Sequence, residues 1–139
     1  LSSNSSHIIE SLEIVAENAG DITERVFSNY HRLCPDSARL MDHMDNYMLG
    51  RMMDQVLLLL MEDGEAELSS YLEFETKSHE SYGVEPYMYE NLFDAVVSTV
   101  RDAAGSAWTD EFQSAWNGRI ETLLNRISRA HELLHQTAG

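Results

Sequence analysis

The segment Ser78-His79-Glu80-Ser81-Tyr82-Gly83-Val84-Glu85-Pro86-Tyr87-Met88-Tyr89 is where this chain has the residues to do chemistry. It sets a histidine at the end of a run with helical periodicity, follows it with a turn, and starts a new helix at a proline. An imidazole so placed can leave its helix towards a pocket, while the turn carries Val84 across the pocket's edge. Neutral imidazole is a common metal ligand, and the ring N–H that does not ligate needs an acceptor. Ser78 and Glu75 are spaced to supply one. A lone histidine on a partly apolar helix face is more often a satisfied structural residue, so the surroundings must decide.

The elements that would position His79 are helices. Ile8, Leu12, Val15 and Ala19 recur at helical spacing and stop at Gly20. Asp21 and Glu24 have capping-box spacing, and Ile22, Val26 and Tyr30 follow every fourth residue until Pro35 forces an end near Cys34. A short turn of helix is expected over residues 36–41. Asp45 is the expected N-cap of the next helix, through Met48, Met52, Val56, Leu59 and Leu60 to a break at Asp63-Gly64. This helix is apolar on much of its circumference, so it is expected inside a bundle rather than at the surface.

Leu68, Leu72, Glu75 and His79 share a face of the helix that follows. Met88, Leu92, Val96, Thr99 and Ala103 form the stripe of another, closed by Gly105. Thr109 with Asp110 and Glu111 starts the last, where Phe112, Trp116, Ile120, Leu123, Ile127, Ala130 and Leu134 keep their spacing. No alternation of apolar and polar residues reads as a strand, so the fold class is all-α, with about seven helices.

At 139 residues, 43% of them hydrophobic, the sequence predicts one domain over 1–139 with a continuous core. A formal charge of -15 would repel phosphate backbones and anionic membrane surfaces, so neither nucleic acid nor membrane is an expected partner. The longest apolar run, Val56 to Met61, is far short of the roughly 20 residues that span a bilayer. A single cysteine, Cys34, fits a reducing compartment, and with no signal-peptide pattern the expected location is the cytoplasm. The chain opens at Leu1 without an initiator methionine, which fits an excerpt from a longer protein.

The segment around His79 resembles the proximal region of globins, particularly bacterial single-domain haemoglobins, the globin part of flavohaemoglobins and globin sensor domains. There a proximal His, a Gly-Val or similar pair, Pro and Tyr occur in this order, and the likeness extends over essentially the whole chain. It implies a three-on-three helical sandwich around haem b, with His79 as the proximal iron ligand. Ser78, Val84, Tyr89 and Leu92 would contact the cofactor, with Tyr89 hydrogen-bonding the imidazole. Phe27 would face the bound gas, and Met41 would stack on haem after the corner at Pro35. The helix from Asn46 to Met61 resembles the distal helix. Counting seven residues from Asp45 places Met52 over the iron and Val56 one turn later. Trp116, early in the last helix, also resembles the bacterial globins.

The sequence departs from the family in three places. Met41 stands where most globins have phenylalanine, so a flexible thioether replaces an aromatic ring. Met52 stands where many have His or Gln, and it cannot donate a hydrogen bond to oxygen. His131 takes the place of a glutamate that joins the Tyr and proximal His in flavohaemoglobin-like globins. Met41, Met44, Met48, Met52, Met53 and Met61 crowd one stretch, either as soft filling around the cofactor or with Met52 as a sixth iron ligand. His43 is another candidate sixth ligand, or else a corner residue near a propionate. His7, His31 and His135 show no ligand spacing, and nothing supports a hydrolytic triad at Cys34.

The resemblance implies reversible binding of a diatomic gas, chiefly oxygen and also nitric oxide or carbon monoxide, by a monomer or homodimer. Two alternatives stay open. One is a gas-sensor input domain that signals through its last two helices. The other is a nitric oxide dioxygenase, for which a separate reductase would supply electrons. A globin-like regulator without haem is a further alternative, against which the intact His79 neighbourhood speaks.

Overall fold

A computed structural model describes residues 3–61, 79 and 83–138. Its elements are α1 (Ser3–Ala19), α2 (Thr23–Leu33), α3 (Pro35–Leu40), α4 (Asn46–Met61), α5 (Pro86–Ala104), a 3₁₀ turn (Gly105–Ala107) and α6 (Asp110–Ala138). Every element among the described residues is helical, so the chain is all-α. The helix expected over Leu68, Leu72 and Glu75 lies outside the described residues, as does the Asp63-Gly64 break; His79 itself is helical.

Local chemistry explains most boundaries. Asp45 accepts the Met48 N–H at 2.9 Å and Thr109 accepts the Phe112 N–H at 3.1 Å, so both expected caps hold their helix starts. The start of α2 differs from expectation. Its N-cap is Ile22, and Asp21, one residue further out, accepts both the N–H and the hydroxyl of Thr23, at 2.9 and 2.6 Å. The Asx-type turn thus does the work expected of a capping box. Pro35 opens α3, where a missing N–H costs nothing.

The long helix α6 lies along α1, α5 packs against α1, α2 and α6, and α4 reaches α1 and α2. Polar ties also run between helices. The fully buried Trp116 donates its indole N–H to Ser11 Oγ at 2.9 Å, and Ser11 passes its own proton to the Ile8 carbonyl at 2.7 Å. Asn29 on α2 donates to Thr99 Oγ1 on α5 at 2.8 Å. Arg119 on α6 donates to the Leu59 carbonyl at 3.0 Å, placing a cation at the negative end of the α4 dipole. These bonds add direction to an apolar core whose main stabilisation is burial.

The α4 helix corrects one expectation. Met53, Val56 and Leu60 are buried, but Tyr47, Met48 and Leu58 are 71%, 38% and 55% exposed, so the helix is not enclosed all round. Among the described residues α1 and α2 pack against α4, while these three apolar side chains stand at the surface.

Candidate functional site

The turn after His79 is built to present its ring. The Val84 N–H donates to the His79 carbonyl at 3.1 Å, and Gly83 sits at φ 89°, a left-handed conformation that a side chain would strain. Pro86 then opens α5, and Tyr89 in its first turn brings its Oη to 3.2 Å from His79 Nδ1. The two rings meet edge to face, with centroids 6.1 Å apart. Should Nε2 take a metal, Nδ1 carries the proton and donates to the Tyr89 oxygen. Ser78 and Glu75, the acceptors expected from spacing, lie outside the described residues.

His79 stands in the wall of a cavity of about 920 Å³, near the upper end of the ~300–1,000 Å³ typical of small-molecule sites. From α4 come Met52, Gln55, Val56 and Leu59, and from α5 and the turn before it Val84, Met88, Tyr89, Leu92 and Phe93. Tyr30, Ser37 and Leu40 close the side towards α2 and α3, with Arg39, Met41, His43 and Met44 along the corner and Ile127 from α6. The wall is mostly aliphatic and thioether. Of the residues expected from the sequence, His79, Met41, Met52, Val56, Val84, Tyr89 and Leu92 are brought together here, with His43, the other candidate sixth ligand, at the corner.

Phe27 is placed differently. It is buried in the core, 6.4 Å from the His31 ring, and Tyr30, one turn later, takes a place in the cavity wall instead. Which aromatic residue turns inward depends on how α2 packs on its neighbours, which no local pattern encodes. His131 is partly buried on α6, apart from the cavity wall. Met88 was findable, since it shares a stripe with Leu92; Gln55 lies between Met52 and Leu59 on one helical face. Ser37, Phe93 and Ile127 carry no such local signal.

A buried polar cluster flanks Tyr30. Ser37, 1% exposed, donates to the Cys34 carbonyl at 2.7 Å, so the His31 Nδ1 at 2.8 Å must be the donor to its oxygen. Burial, joined by Cys34 and the neighbouring tyrosines, pushes the Tyr30 phenol well above its ordinary range and keeps it neutral. Burial also pushes the His31 imidazole down. At the corner, Arg39 and His43 are exposed cationic or ionisable groups on a strongly acidic chain. Asp36 accepts from Arg39 at 2.6 Å and from the Tyr87 hydroxyl at 2.9 Å, and these bonds hold its carboxyl below the usual range.

Among the described residues no three His, Cys, Asp or Glu side chains converge as a metal cage. A single imidazole can hold a metal firmly when that metal brings most of its ligands with it. No family model matches the chain, and no curated protein matches it significantly.

Proposed function

We propose that the chain is a globin that binds haem b through His79 and reversibly binds a diatomic gas, chiefly oxygen. The observation that carries this reading is the His79 imidazole, with Nδ1 held by Tyr89, in the wall of a large and mainly apolar cavity. The residues fit the group: one oriented nitrogen donor, aliphatic and thioether walls for a flat macrocycle, and Arg39 and His43 at the exposed corner to meet its carboxylates. His79 would hold the iron of haem, and haem would supply an iron able to bind a diatomic gas. Met52, Val56 and Leu59 would shape the opposite wall and keep water from it, while Val84 and Leu92 would flank the macrocycle. Tyr89 would fix the tautomer and the angle of the ligand ring. A second reading is favoured by Met52 lining the same cavity as His79: its sulfur as a sixth ligand that gas must displace.

The test is an absorption spectrum of protein supplied with haem, in ferric, ferrous and carbon monoxide forms, for wild type and His79→Ala. Wild type should give a stoichiometric complex with an imidazole-ligated signature that His79→Ala loses. Protein that stays colourless, or a variant with an unaltered axial signature, overturns the proposal.

A further inference from the structure

The short helix α3 touches the segment that presents His79 at two separate points. At its start, the Asp36 carboxylate accepts the Tyr87 hydroxyl at 2.9 Å, and Tyr87 lies two residues before Tyr89 in the first turn of α5. At its end, the Leu40 Cδ2 lies 3.7 Å from where a side chain on Gly83 would begin, so α3 rests against the turn between His79 and α5. Leu40 and Arg39, the second partner of Asp36, also line the cavity. The same six-residue helix therefore forms part of the cavity wall and braces both the turn and the helix that set the His79 ring.

We propose that Asp36 is a positioning residue for His79, acting through Tyr87 and Tyr89. The inference rests on the reading of His79 as an iron ligand. Both oxygens of Asp36 are used, one on Arg39 and one on Tyr87, which fixes the direction of the carboxylate. Pro86 fixes the backbone φ at the start of α5, beside the residue whose phenol Asp36 holds. Two residues further along the same turn, Tyr89 meets His79 Nδ1 at 3.2 Å. The Asp36 contacts are exposed, and exposed pairs contribute little to stability. What they set is an angle.

The experiment uses resonance Raman spectroscopy of the ferrous, haem-loaded protein, reading the iron–imidazole stretching band together with the thermal midpoint. Tyr87→Phe and Asp36→Ala, singly and together, are compared with wild type and Tyr89→Phe. The expected result is a band shift in the same direction as Tyr89→Phe and smaller, with no further shift in the double variant and an unchanged thermal midpoint. Bands identical to wild type in Tyr87→Phe and Asp36→Ala, beside a shifted Tyr89→Phe, overturn the role of Asp36 and leave the haem reading standing. A wild-type protein that shows no iron–imidazole band overturns both.

Discussion

The Tyr89 hydroxyl meets Nδ1 of His79 across a turn, ten residues along the chain, and the two rings pack edge to face. A partner on one nitrogen decides the tautomer, and so which nitrogen faces the cavity. Tyr89→Phe keeps the packing and removes the oxygen. If the site holds haem as proposed, haem should dissociate about 10-fold faster from this variant, the low end of what loss of such a partner costs a metal site. Transfer of haem to an apo-acceptor, followed by absorption, measures it.

Met52 separates two states of the proposed site. With its sulfur as axial ligand, ferrous wild type is six-coordinate and low-spin, and Met52→Ala becomes five-coordinate. With the thioether serving only as wall, both spectra show the same coordination. The buried Met53 next to it provides the control, since its side chain belongs to the core.

The neutral form of His31 is favoured in the folded protein because the ring is partly buried against Tyr30. The unfolded chain therefore takes a proton there at higher pH than the folded one does. The contribution of His31 to stability is complete above the ordinary imidazole range and falls away as pH drops through the lowered folded value. Denaturant midpoints across mildly acidic pH should show this slope, and His31→Gln should flatten that part of it.

Trp116 joins α6 to α1 through a buried indole and a buried hydroxyl. Trp116→Phe removes both volume and a donor, leaving the Ser11 oxygen one partner short. The expected loss is about 2 kcal/mol, read from the denaturant midpoint at constant slope. An unchanged midpoint would mean that water or a neighbour replaces the indole.

Local chemistry explains what the sequence made legible. Caps at Asp45 and Thr109, proline at the start of α3, and glycine closing α1 and α5 act over a few residues and appear where expected. The meeting of His79 with Tyr89 was expected from the resemblance to globins alone, since spacing pointed instead to Ser78 and Glu75 as partners of the ring. The inward turn of Tyr30 in place of Phe27, the arrival of Ile127 from α6, and the exposed side of α4 depend on how helices cross, which ridges and grooves settle only after the elements exist. Asp36 was hidden for the same reason, since its partner Tyr87 lies 51 positions away.

Leu59 has two attachments. Its side chain borders the cavity while its carbonyl carries the guanidinium of Arg119, which is rooted in the longest helix. Anything that presses on this leucine from within would tug at a rod of 29 residues, about 43 Å from end to end. The bond thus ties one wall of the chamber to that rod at Arg119, within its first half.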